Sequence, residues 1–419
     1  TLFAIGSITK TFTALAAGLL VDEGLLDLDE PVRTYLPAFA VQDPYVTLNV
    51  TVRDLLAHRT GMARHYAMWY RSDLNRDQLL AGLSYLPPIS GLRQEFRYNN
   101  LMYMVAGRTI GRISGGTWED FVDERILQPL GMERTFFGGP PEGDPDFSLP
   151  YHEGADGEPE RITFYEGWAV GPSNSISSCA DDMARWLQLM LGNGRINDRV
   201  ILSPEIVREL YTPQMTVSAL GSYEMPIITY GLGWFVQSYR GRLMAWHTGS
   251  VDGFYAMATI LPFDGIGVVV LTNRSHHSLP EIVSRWVIDR LLGLSEIDWA
   301  TRLANQENTL AAGLRRAVAV REAARTPGTS PSLPVEGLAG RFVHPGYGVL
   351  LVEESDGQLR GTFHGMTGPI DHLQDNVFLF TPQGTEFHQE YAIRFQMGAD
   401  NRAMSLSSTM QVGVPPVVF

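Results

Sequence analysis

The chain has 419 residues, 44% of them hydrophobic and 19% charged, a balance that fits a folded globular protein of two or three domains and not a disordered or fibrous one. The formal net charge of −14 argues against a nucleic-acid partner, because an acidic surface repels phosphate backbones. No apolar run approaches the ~20 residues of a membrane span, so a soluble protein is expected. The single cysteine, Cys179, excludes an internal disulfide and any multi-cysteine metal site.

In chain order, the first pattern follows Gly6-Ser7. Phe12, Leu15, Ala16, Leu19 and Leu20 recur at helical spacing, Gly24 marks a stop, and Ser7 falls at the helix N-terminus. Helices are also expected at 51–60, 76–86, 99–113, 117–128 (closed by Pro129) and 180–192. The Gly-, Pro- and acid-rich stretch 138–160 reads as a surface loop. From 230 the period changes: residues 230–238, 243–248, 254–261 and 266–272 are apolar or β-branched runs separated by Gly-bearing turns, the signature of an antiparallel meander. A helix at 279–292 follows, so the first part reads as an α+β domain. After a further helix over about 299–325, residues 326–334 are a linker by composition, and 335–419 read as a small all-β domain with strands at 348–353, 358–364 and 391–396. The expected division is therefore 1–294, 295–334 and 335–419. The chain begins with Thr1, and no signal-like segment precedes the first helix pattern, so no compartment is assigned.

Of 32 basic residues, Lys10 is the only lysine. Arg cannot give up its proton in a protein, whereas a buried Lys can, which makes Lys10 a candidate for proton exchange. Ser7-Ile8-Thr9-Lys10 is a Ser-x-x-Lys motif. On a helix, positions i and i+3 share a face, so the amine lies beside the hydroxyl and suits an activated serine nucleophile. Tyr98-Asn99-Asn100 is the one Tyr-x-Asn among 16 tyrosines. A phenol near an ammonium can shuttle protons, and the Asn100 amide can orient both the amine and a substrate carbonyl. His247-Thr248-Gly249 ends a predicted strand of the main sheet; His152 and His344 also start His-x-Gly, but in the loop and beyond the linker. Gly249 at a strand edge lets a substrate backbone approach closely, and the Ser250 N–H can join that of Ser7 as an oxyanion hole.

Together the three motifs, in this order, resemble the penicillin-recognising serine hydrolases: class C β-lactamases, D-Ala-D-Ala carboxypeptidases, D-aminopeptidases and related esterases. Leu55 to Gly61, Pro129-Leu130-Gly131-Met132 and Gly249 to Gly253 add to the likeness, which covers roughly residues 1–294. Leu338 to Phe342 and Pro345-Gly346-Tyr347-Gly348 resemble the lipocalin-like barrel appended to some of these enzymes. The resemblance implies a β-lactamase/transpeptidase-like fold with a C-terminal barrel. It implies Ser7 as nucleophile and Lys10 or Tyr98 as its base. Asn100 would orient Lys10 and the substrate, with His247 hydrogen-bonded toward Tyr98. No metal or cofactor is called for, and the barrel is a candidate surface for homo-oligomers. Only six residues precede Ser7, so the main sheet is expected to lack its first strands, as in a truncated chain. His, not Lys, opens the third motif, which favours hydrolysis of a small peptide, amide or ester over efficient β-lactamase activity. An acyltransferase or peptide cyclase using the same site is the alternative, as is a non-catalytic binding protein that keeps the fold. Gly-x-Ser-x-Gly and His-Glu-x-x-His are absent, and the one lysine lies outside a Walker phosphate loop. Met62, Trp69, Tyr70, Tyr223 and Met225 are candidates for an apolar cleft wall.

Overall fold

Apolar runs and short turns between residues 215 and 272 build a six-stranded antiparallel meander in the computed structural model. Its strands lie side by side in chain order: Met215–Ser218, Ile228–Tyr230, Phe235–Tyr239, Arg242–Val251, Phe254–Leu261 and Ile266–Thr272. The structure describes residues 1–139, 144–154, 157–165, 167–218, 221–275, 277–323, 329–331, 334–383, 390–400, 402–411 and 413–419. The strand expected over 230–238 is split by a turn that the Gly231 N–H closes on the Trp234 carbonyl at 2.8 Å. Phe3–Ala4 does not join this sheet. It pairs with Ile176–Ser178, the centre of a separate three-stranded sheet, while Ile266–Thr272 is an outer strand of the meander.

The first helix spans Thr9–Asp22, and every residue from Thr9 to Leu20 is buried. The helix is enclosed on all sides, as its run of Ala, Leu and Thr permits. Phe12 stacks on Trp186 of the helix Ala180–Leu191, with ring centroids 3.9 Å apart. Asn99 caps the helix Asn100–Ser114 by accepting the Met102 N–H. The helix expected at 51–60 is shorter, Val52–Leu56, fixed by a capping box between Thr51 and Asp54. That expected at 117–128 starts as Trp118–Val122, continues through a π-helical turn, Asp123–Leu127, and stops at Leu130. The 138–160 loop contains a small hairpin, Tyr151–Glu153 with Pro159–Arg161; its residues 140–143 and 155–156 lie outside the described residues.

After the helices Leu279–Leu291 and Trp299–Ala323, the chain reaches the predicted linker, of which 326–328 and 332–333 lie outside the described residues. The C-terminal part is an eight-stranded antiparallel sheet in chain order from Gly340–His344 to Val417–Val418. Alternate side chains such as Leu350, Val352, Phe363, Phe378, Phe380, Ile393 and Phe395 are buried, the two-residue period of a strand with one inward face. The His344 and Phe419 rings, from the two ends of the sheet, lie 5.8 Å apart, so the barrel nearly closes. No helix among the described residues is long and apolar enough to cross a membrane.

Candidate active site

A 3-10 turn, Gly6–Ile8, delivers Ser7 to the start of the buried helix. The turn is wedged against the strand Arg242–Val251. A Cβ on Gly249 would fall 1.7 Å from the Ile5 carbonyl oxygen, and one on Gly6 (φ +50°) 2.7 Å from the Ser250 nitrogen. Only glycine at both positions lets the two backbones meet. The side on which a Gly249 Cβ would project is taken by the chain's own Ile5–Ser7 turn, while Thr248, Ser250 and Val251 on the same strand line the cleft. The same contact brings the Ser250 N–H beside Ser7.

The Lys10 amine is fully buried, 3.0 Å from Ser7 Oγ and 2.9 Å from the Ser173 carbonyl oxygen, to which it donates. Burial, reinforced by the charge of Arg64, holds its pKa well below the ordinary lysine value. The amine also stands over the Tyr98 ring, 4.6 Å from its centroid. Tyr98 is shifted the other way: burial raises its pKa, against opposing effects of a Ser7 hydrogen bond and Arg64.

The structure brings Ser7, Lys10, Tyr98, Asn100, His247 and Ser250 to one neighbourhood, but two expected contacts differ. Asn100 lines the cleft with its Oδ1 buried and unpartnered; no hydrogen bond joins it to Lys10, whose second partner is the Ser173 carbonyl. His247 does not hydrogen-bond Tyr98. Its Nδ1 is 2.6 Å from the Thr248 carbonyl oxygen and its Nε2 3.0 Å from the Tyr230 hydroxyl. A carbonyl only accepts, so Nδ1 carries the proton and Nε2 accepts from Tyr230. Burial, then Lys10, lowers the His247 pKa to about 3, so the ring is neutral. Behind Tyr98, His58 packs at 4.4 Å between centroids and accepts the Asn99 N–H on Nδ1.

The cleft over Ser7 has a volume of about 420 Å³, walled by Arg64, Tyr66, Trp69, Tyr70, Phe96, Tyr165 and Phe235, with Asn174, Thr248 and Asp252 as polar lining. Of the five residues expected to wall it, Trp69 and Tyr70 do. Met62 is core, Met225 packs against a separate cluster that includes Tyr239 and Met244, and Tyr223 is exposed. The Ser173 carbonyl, Asn174, Arg64 and Tyr230 were missed. A backbone acceptor leaves no residue signature, and the other three sit in no motif. Among the described residues, no group of three or more His, Cys, Asp or Glu side chains is arranged to hold a metal ion.

A serine beside a buried amine thus stands at the foot of a core helix packed against an antiparallel sheet, in a β-lactamase/transpeptidase-like fold. The chain belongs to the Beta-lactamase family, whose model matches residues 1–292; a second family, described as a domain of unknown function, DUF3471, matches 324–415. It is 27% identical over 371 residues to an unguisins hydrolase from Aspergillus campestris, covering 84% of this chain and 68% of that protein. It is also 27% identical over 286 residues to penicillin-binding protein 4 from Amycolatopsis lactamdurans, covering 65% of this chain and 72% of that one. Among solved structures, the octameric penicillin-binding protein homologue from Pyrococcus abyssi superposes with a TM-score of 0.59 at 22% identity, covering 100% of this chain and 88% of that one.

Proposed function

We propose that the protein hydrolyses a peptide, amide or ester bond through an acyl-enzyme on Ser7. The observation that carries this reading is the 3.0 Å contact between Ser7 Oγ and the wholly buried Lys10 amine. Burial favours the neutral amine at Lys10 and disfavours a Tyr98 phenolate, which supports Lys10 over Tyr98 as the base for Ser7. As Ser7 Oγ attacks the substrate carbonyl, its proton passes to Lys10. The Ser7 and Ser250 N–H groups hold the oxyanion, a contribution of about 3–4 kcal/mol per donor at comparable sites. The proton then goes to the leaving group, with the Tyr98 phenol as relay, and water attacks the ester of Ser7 by the reverse route. Asn100 and Asn174 offer amides to the substrate, and neutral His247 holds the strand edge through Tyr230. The names of the relatives, a hydrolase and a penicillin-binding protein, support an acyl substrate.

We assign the catalytic unit to residues 1–294, the connector to 295–334 and the barrel to 335–419. The octameric homologue supports self-association. The decisive experiment is mass spectrometry after treatment with a serine-directed acylating probe. Wild-type protein gains one acyl group and Ser7→Ala gains none; undiminished labelling of Ser7→Ala sinks the assignment.

A further inference from the structure

One short stretch, His65 to Arg71, contributes Tyr66, Trp69 and Tyr70 to the aromatic lining of the cleft, beside Phe96, Tyr165 and Phe235. Both of its ends are non-glycine residues in the left-handed region: His65 at φ +42° and Arg71 at φ +50°. Such conformations cost of order 1–3 kcal/mol each and persist only where surrounding contacts over-determine them. Contacts from the barrel are among those that do so here. At one end the Tyr347 hydroxyl meets His65 Nδ1 at 2.7 Å, with both residues buried. At the other end the Gly365 N–H donates to the Arg71 carbonyl at 3.0 Å, and His364, itself at φ +54°, faces the Ser72 hydroxyl at 3.3 Å. The wall also reaches the reacting side. The Tyr70 hydroxyl and the Arg71 guanidinium each donate to Asp252 Oδ2 at 2.7 Å, two residues past Ser250.

We infer that Tyr347 and Gly365 of the barrel are positioning residues that brace the His65–Arg71 wall, so that the barrel sets selectivity for substrates carrying a bulky aromatic or apolar group beside the scissile carbonyl. The inference rests on the hydrolase reading above for its substrate, but the brace itself has a readout free of catalysis. A small acyl group does not reach the wall; a large one does, and its affinity depends on the wall's fixed shape.

The test uses the full chain with two p-nitrophenyl esters, acetate and phenylacetate, and three variants: Tyr347→Phe, His65→Ala and His65→Asn. Tyr347→Phe deletes one buried hydrogen bond. It lowers kcat/KM for the phenylacetate about tenfold, chiefly through KM, and for the acetate by less than about threefold. His65→Ala behaves likewise. His65→Asn keeps an acceptor and tolerates the left-handed backbone, so it retains the wild-type ratio between the esters. Amide hydrogen exchange without substrate gives the independent measure: protection of residues 66–71 falls about tenfold in Tyr347→Phe, with the Thr9–Asp22 helix unchanged. An unchanged ester ratio together with unchanged exchange at 66–71 overturns the brace. If the wild type turns over neither ester and takes no acyl group from the serine-directed probe, the hydrolase reading falls and the exchange measurement alone decides the brace.

Discussion

The two sides of the cleft are built in opposite ways. Ser7 and Lys10 are three residues apart on one continuous helical path, which the core encloses from Thr9 to Leu20. The facing wall, His65 to Arg71, is strained at both ends and held by residues almost 300 positions later. The reacting groups are thus locally encoded, whereas the surface that contacts the rest of a substrate depends on the whole chain. The first side is suited to stay constant while the second varies.

Replacing Lys10 with Arg tests the local side most severely. The charge is kept but the exchangeable proton is lost, so acylation by a chromogenic ester slows by about 10³-fold or more. Wild-type rates in a stopped-flow assay would show that proton exchange at this position is irrelevant. Gly249→Ala acts one step further out. Its methyl would collide with the Ile5 carbonyl and push the Ser7 turn off the strand. A displacement of about 1 Å costs about 10²-fold in kcat, and the strain about 1–3 kcal/mol of stability, readable by steady-state kinetics and urea unfolding. Normal kcat in a stable Gly249→Ala protein would mean that the turn does not need that strand.

The mildest probe is pH, and it reaches both sides. Burial lowers His247, on the Ser7 side, to about 3, and burial with His344 nearby lowers His65, on the wall, to about 4. Between these values and ~6.5 the unfolded chain binds more protons than the folded one. Stability is therefore full above ~6.5 and falls as pH drops, by up to ~1.4 kcal/mol per pH unit for each histidine. The His65 contribution levels off below about 4. Urea midpoints between pH 7 and 4 measure the slope. His65→Asn removes one histidine's share of it, and an unaltered slope would show that His65 titrates alike in both states.

The same contrast explains what the sequence disclosed. The Ser7–Lys10 contact was readable because i,i+3 spacing on a helix fixes it without reference to anything distant. The meander strands at 254–261 and 266–272 were readable for a similar reason, since alternation and turns are local signals. Tyr98 and His247 were found through motifs whose order resembles a known family, but not their partners. Nothing in a linear sequence says that His247 faces Tyr230, or that a backbone carbonyl at Ser173 takes the amine. Gly249 was singled out as a point of close approach, but the sequence does not say that the Ile5–Ser7 turn packs where its Cβ would be. The wall was the least legible part: left-handed His65 and Arg71 have none of the glycine or asparagine that normally announces such a turn.

The chain's only lysine is the fully buried Lys10, and all its other basic side chains are Arg. To an amine-directed cross-linker or biotinylating ester, the exterior offers no ε-amine, only the α-amine of Thr1. Such a reagent finds its one lysine target only by entering the cleft, so its uptake gauges whether that cavity is open or filled.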